Sequence, residues 1–161
     1  MPTTTTFKAI RNAWITDLIA ITPTSQTQYG FDHCPKQAQL RDWAPRAKGA
    51  CLRKFQFQAT GHTEPTDAMD PAAYTRNESA TLTIAYPVSL GLYGTDDFNS
   101  MEDVIAEDVA SVRDVLTSQG NYTAGQHRAD VSSVSYDRSD DAVWFVELSL
   151  DLIFSHAQSL T

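Results

Sequence analysis

The chain reads WFVELSLDLIF from Trp144 to Phe154, and every second residue of this segment is apolar. The apolar set is Trp144, Val146, Leu148, Leu150, Leu152 and Phe154, whereas the positions between them include Glu147, Ser149 and Asp151. Successive side chains of a strand point to opposite faces, so the alternation predicts a strand with one apolar face and one face that carries two carboxylates. We therefore expect a sheet that covers a core on one side and meets water or a partner on the other.

Two further segments alternate in the same way. Cys51–Gln58 predicts a strand with Phe55 and Phe57 on one face and with Gln56 and Gln58 on the other. Ala80–Tyr86 predicts a second strand, whose polar side carries Thr81 and Thr83 and which ends at Pro87.

Apolar residues at spacings of three and four predict two helices. The first stripe consists of Phe7, Ile10, Trp14, Leu18 and Ile21 and ends before Pro23. The second runs from Met101 to Leu116 and is stopped by Gly120-Asn121. Its carboxylates are predicted to lie on a solvated outer face rather than in an acid–base pair: Glu102, Asp103, Glu107, Asp108 and Asp114.

The predicted order of elements is helix, two strands, helix, two strands. This order favours an α+β fold, in which a mainly antiparallel four-stranded sheet carries both helices on one face. At 161 residues the chain is predicted to form a single domain, residues 1–161.

Two segments without periodicity predict long loops, 24–49 and 59–77. The first contains Tyr29, Phe31 and Trp43, which suit an interface between subunits but are equally compatible with packing on their own domain. The second contains His62, Glu64, Asp67 and Asp70 and predicts a long hairpin tip that contacts another protein.

Charge and composition narrow the class of protein. The net charge of −8 argues against a protein that grips nucleic acid through a basic patch, yet it suits one that lets DNA pass without holding it. No apolar run approaches the ~18 residues that cross a bilayer, so we expect no membrane partner and no secretory signal. Without such a signal, Cys34 and Cys51 are expected to be reduced thiols, although a disulfide between them is the alternative.

The sequence contains no recognisable catalytic motif. A phosphate-binding glycine loop, a nucleophile elbow and a zinc-protease helix motif are all missing, so we expect neither an enzyme nor a cofactor. The residues His33, Cys34, Cys51 and His62 do not have the spacing of a structural zinc site, and we expect them to be satisfied or solvated side chains.

In its layout the chain resembles the tail terminator proteins of long-tailed bacteriophages. The resemblance lies in an opening amphipathic helix (7–21), a strand pair (51–58 and 80–86), an acidic helix (101–116) entered through Tyr-Gly-Thr-Asp-Asp (93–97), and a closing Tyr-Asp-Arg-Ser-Asp-Asp turn (136–141) with the strand that follows it. The two long segments, 24–49 and 59–77, depart from the compact pattern of that family.

This resemblance implies a structural virion protein of the tail and neck, assembled in the host cytoplasm. Such proteins form a hexameric ring that caps the tail tube, stops its polymerisation and joins the tube to the head connector, while DNA passes through the lumen. If the polar face of the sheet lines that lumen, the lining residues are Gln56, Gln58, Thr81, Thr83, Glu147, Ser149 and Asp151. A face that is simply solvated, or that a neighbouring subunit covers, is an equal alternative. The alternatives are another ring protein of the neck and, more distantly, a domain that binds a small ligand.

Overall fold

In the computed structural model the described residues are 7–23, 30–36, 53–63, 73–87, 98–118, 127–139 and 143–157. They form two helices, α1 (Phe7–Ile19) and α2 (Phe98–Thr117). They also form five strands: β1 (Phe31–His33), β2 (Arg53–Thr63), β3 (Ala73–Pro87), β4 (His127–Asp137) and β5 (Val143–Ala157).

The five strands make one mixed sheet in the order β1-β2-β3-β5-β4. β1 runs parallel to β2, and the other neighbours are antiparallel. The centre of the sheet is the pair of 15-residue strands β3 and β5, in which Leu82 lies opposite Leu148 and Ile84 lies opposite Val146. This register follows from the sequence alternation, because a shift of one residue would turn every apolar side chain away from the core.

Both helices pack on the same face of the sheet. α1 contributes Ile10, Trp14 and Leu18 to the buried core, and the Trp14 ring stacks on Phe57 with a centroid distance of 5.7 Å. α2 contributes Met101, Val104, Ile105, Val109, Val112 and Leu116. Each large side chain buried in this way stabilises the fold by roughly 1.5–3 kcal/mol before conformational entropy is subtracted.

The architecture agrees with the predicted α+β class, but the sheet has five strands rather than four. The additional strand is β1, which lies inside the segment 24–49 that was predicted to be a loop. Phe31 begins this strand and is buried between the sheet and the helices. Packing of Phe31 therefore holds the strand in place, and a strand of three residues is too short to be predicted from its sequence pattern.

The predicted loop 59–77 was also too long. Residues 59–63 continue β2, and residues 73–77 belong to β3, which is paired with β5 from Ala73 onward. The sequence pattern is interrupted there because a bulge at Ala59/Gly61 shifts the register of β2 against β3. The remaining residues of this predicted loop, 64–72, lie outside the described residues.

Candidate functional site: the polar face of the sheet

The face of the sheet opposite the helices carries the seven residues that were predicted from the sequence to line a lumen. Strand pairing arranges them in rows that cross the sheet. One row is Gln56, Thr83, Glu147 and Ser135; the next is Gln58, Thr81, Ser149 and Ser133; a third is Ser79, Asp151 and Asp130. We call these three rows the polar face. All seven nominated residues lie in it.

The polar face is negatively charged, and among the described residues it is exposed only in part. Gln56, Thr81, Thr83 and Ser149 are half-buried, and Gln56 Oε1 is fully covered. Its charged side chains are Asp130, Glu147 and Asp151, all exposed, and none of the residues in its three rows is basic. Asp130 and Asp151 are directly opposite each other across β4 and β5. The Ser79 hydroxyl donates a hydrogen bond to Asp151 Oδ1 at 3.5 Å, which ties the third row to β3.

At one end the polar face gives way to a buried patch. The row next to Gln56 and Glu147 contains Lys54, Ala85 and Phe145, all of which are buried. Ala85 and Phe145 form a small apolar cluster with Cys34 and Val143. The exposed surface is therefore confined to the part of the sheet from Glu147 towards Asp151.

The turn that precedes β5 is held by a stacked arginine. The Arg138 guanidinium lies 5.4 Å from the Tyr136 ring centre and 5.2 Å from that of Trp144, and it forms a 2.9 Å ion pair with Glu102 of α2. Asp137 accepts hydrogen bonds from the backbone N–H (2.9 Å) and the hydroxyl (2.6 Å) of Ser139. The closing turn thus connects the β4–β5 hairpin to the start of α2.

On the opposite side of the sheet, three polar side chains form a buried network. Arg53 Nε of β2 donates to Asp108 Oδ2 of α2, and Tyr86 Oη of β3 donates to the same oxygen at 3.1 Å. The Arg53 guanidinium also lies 5.7 Å from the centre of the Phe31 ring. The prediction of a solvated Asp108 was wrong: its side chain is only 3% exposed. Its place in the helix explains this burial. Asp108 lies about one turn after Val104 and about one turn before Val112, and both valines are buried.

Burial changes the acidity of this network. It raises the pKa of Asp108 to about 6, while the charge of Arg53 and the hydrogen bonds from Arg53 and Tyr86 act in the opposite direction. A buried carboxylate with these partners is satisfied by its neighbours and joins the sheet to α2. We interpret the network as part of the scaffold.

The structure assigns the other nominated residues differently. Phe31 was a candidate for an interface between subunits, yet it is buried and packs edge-on against Phe55 at 6.4 Å, so it belongs to its own domain. His62 lies in β2 opposite Glu78 rather than in a loop tip. The remaining candidates for the tip and the interface lie outside the described residues: Tyr29, Trp43, Glu64, Asp67 and Asp70.

The described residues give no metal site. No group of three or more His, Cys, Asp or Glu side chains among them is arranged to hold an ion. His33 lies opposite Phe55 of β2, and His62 lies seven residues farther along the same strand. About 23 Å of strand therefore separates the two positions. Burial, followed by the charge of Arg11, lowers the pKa of His33, while Asp32 opposes this shift. Cys34 is buried, and Cys51 is outside the described residues.

Neither α1 nor α2 has the length and apolar character that crossing a bilayer requires. No protein-family model matches the chain, and no curated protein matches it.

Proposed function

We propose that the protein is a ring-forming structural subunit of the tail terminator class of long-tailed bacteriophages. In this proposal a ring, expected to be a hexamer, caps the tail tube, stops its polymerisation and presents a surface to the head connector. The observation that carries the proposal is the polar face: the seven residues predicted to line a lumen share one face, on which Glu147 and Asp151 are exposed, and both helices lie on the other face.

A wall of this composition suits the passage of DNA. A ring repeats Glu147, Asp151 and Asp130 around its axis, because every subunit presents the same face. Phosphates approaching such a wall meet like charge, so DNA is kept from adhering while it moves. The threonine, serine and glutamine side chains between the carboxylates keep the wall hydrated without adding positive charge.

The β2–β3 hairpin is the proposed contact with the tube protein or the connector. β2 continues to Thr63 and pairs there with Asn77, five residues beyond the point where the sequence pattern stops. This extension carries the tip about 16 Å farther than a hairpin that ended at Gln58. A ring that joins two layers requires a projection of this kind, and residues 64–70 form its proposed contact segment.

The first experiment is a measurement of mass in solution combined with negative-stain images of the same sample. The proposal expects a ring with a central hole, either in the free protein or after addition of tail tubes. Tubes that stay uncapped and keep growing in the presence of the protein would contradict it. If the protein binds connectors but leaves tubes uncapped, another ring protein of the neck becomes the better assignment.

Deletion of residues 64–70 tests the hairpin separately. We expect a folded protein whose rings form but no longer dock to the tube or connector. A replacement of the same segment by Gly-Ser residues of equal length is the matched control for changes in loop closure. Infectious particles assembled with either variant would contradict the proposed role of the tip. The same result would not contradict the proposal that the protein forms a ring.

A further inference from the structure

β4 forms one edge of the sheet. It pairs with β5 on one side, and no other described strand pairs with it on the other. It is 11 residues long, whereas β1 at the opposite edge has only three. An edge of this length presents a row of backbone N–H and C=O groups that another strand is able to pair with.

The middle of this edge lacks the residues that usually prevent pairing. Residues 131–135 read Val-Ser-Ser-Val-Ser, without proline, lysine or any other charge. Tyr136, which follows, is 49% exposed although its position faces the helix side of the sheet. A half-exposed tyrosine beside an unpaired edge is typical of a surface that a partner covers.

The same segment does contain a bulge, which protects an edge against pairing with a regular strand and so restricts what the partner can be. Val131 lies opposite Leu150 and Val134 lies opposite Leu148, so Ser132 is one residue more than β5 requires. The helix-side positions of β4 are therefore 129 and 131 before the bulge, but 134 and 136 after it. A regular strand changes face at every residue and would lose its match with β4 at this point.

We propose that β4 pairs antiparallel with β4 of a second copy of this chain. The second copy carries the same additional residue, and in one register the two irregularities coincide. Ser132 then lies opposite Ser133 of the other copy, with the two-fold axis between these pairs. On either side of the axis, Val131 lies opposite Val134 and Asp130 lies opposite Ser135, each pair on a common face.

Charge agrees with this register. Continuing the pairing brings position 129 opposite Tyr136 and position 128 opposite Asp137 of the second copy. Residue 128 is an arginine, so the symmetric pair contains two oppositely charged Arg128–Asp137 positions. Opposite charges across antiparallel strands favour pairing. The inference does not rest on the proposed function: a two-fold contact turns the second copy end over end, so this dimer is a form of the free protein and is separate from any head-to-tail ring.

Disulfide trapping tests the register. Asp130 and Ser135 are exposed and lie outside the core, so each is replaced by cysteine in a separate variant, Asp130→Cys and Ser135→Cys. Mixing these two single variants under mild oxidation is expected to give a covalent dimer, with the 130–135 linkage identified by mass spectrometry. Asp130→Cys mixed with Gln58→Cys, an exposed position on β2, is the matched control and is expected to give no such linkage.

Sedimentation over a concentration series tests the contact itself. The wild-type protein is expected to dimerise reversibly, and Arg128→Asp is expected to weaken the dimer roughly tenfold, because two attractive pairs become repulsive. Arg113→Asp makes the same change on the exposed side of α2 and is expected to leave the dimer intact. A monomer at every concentration, or an oligomer that yields no 130–135 disulfide, would overturn the proposal.

Discussion

Arg53 of β2 and Asp108 of α2 form an ion pair in the interior, with side chains only 1% and 3% exposed. The pair joins the second strand of the sheet to the helix that covers it, and Tyr86 of β3 adds a hydrogen bond to the same carboxylate oxygen. Three elements that are distant in sequence are thus fixed to one another by one oxygen atom. A buried charge is tolerated only when its partners remain in place, so this network is sensitive to the loss of any member.

We predict that Asp108→Ala lowers the free energy of unfolding by about 3–5 kcal/mol at neutral pH, because it removes the shared acceptor of two buried hydrogen bonds and leaves Arg53 and Tyr86 without this partner. Urea denaturation followed by circular dichroism measures this loss. Replacing both partners, Arg53→Met with Asp108→Leu, is expected to cost less than Asp108→Ala alone.

The exposed pair Arg138–Glu102 provides the control for this experiment. Both side chains are nearly half exposed, so Glu102→Gln is expected to change stability by no more than about 1 kcal/mol. Equal losses from Asp108→Ala and Glu102→Gln would contradict the interpretation of the buried network.

The raised pKa of Asp108 predicts an unusual dependence of stability on pH. The folded carboxyl holds its proton more tightly than the unfolded chain, since its pKa rises from 3.8 to about 6. Its contribution is therefore complete below the unfolded value and is lost as the pH rises through about 6. Relative to Asp108→Asn, the wild-type protein should gain roughly 1 kcal/mol between pH 7 and pH 5. Urea denaturation of both proteins at several pH values above 5 measures this difference, and parallel curves would refute it.

Trp14 is predicted to hold α1 on the sheet. Its side chain is fully buried and stacks on Phe57, so Trp14→Ala should lower the free energy of unfolding by about 3–5 kcal/mol. Ile19 at the end of the same helix is 50% exposed, and Ile19→Ala should change stability by less than about 0.5 kcal/mol. Chemical denaturation compares the two variants. Similar effects for both would show that α1 is not docked through Trp14.

The alternation of apolar and polar residues predicted the centre of the fold correctly because packing and sequence share one period there. The strands at 51–58, 80–86 and 144–154 and both helices have such a pattern, and the structure contains all five. The nominated polar residues share a face for the same reason. β1 escaped prediction because three residues are too few to show a period, and their pairing with β2 is decided by Phe31 entering the core.

The buried network of Arg53, Tyr86 and Asp108 was not predicted, although the sequence pattern places all three residues on the core side of their elements. Arg53 has the parity of Phe55 and Phe57, and Tyr86 has that of Leu82 and Ile84. Asp108 falls on the apolar stripe of α2. Asp108 was interpreted by its charge instead of its position, and a charged residue on a buried stripe indicates a buried partner of opposite charge on the facing element. The register shift at Ala59/Gly61 hid the end of β2 in a similar way, since a bulge breaks the alternation that identifies a strand.

Charge reversal on the polar face gives the most direct test of the proposed lumen. Glu147 and Asp151 are exposed in the middle of the sheet, so Glu147→Lys with Asp151→Lys should leave the fold and ring assembly intact. Lysines repeated around a ring would attract the DNA phosphates that the wild-type carboxylates repel. We therefore expect particles of normal appearance that release their DNA more slowly and less completely, measured by triggered ejection in vitro.

The matched control is Asp103→Lys with Asp114→Lys, which makes the same change in net charge on the exposed side of α2. This variant should eject DNA normally, because α2 lies on the face turned away from the proposed lumen. Slowed ejection in both variants would indicate a general effect of net charge. Normal ejection with Glu147→Lys and Asp151→Lys would contradict the assignment of the polar face as the lining of a DNA channel. A face whose charge is reversed without any effect on ejection does not lie along the path of the DNA.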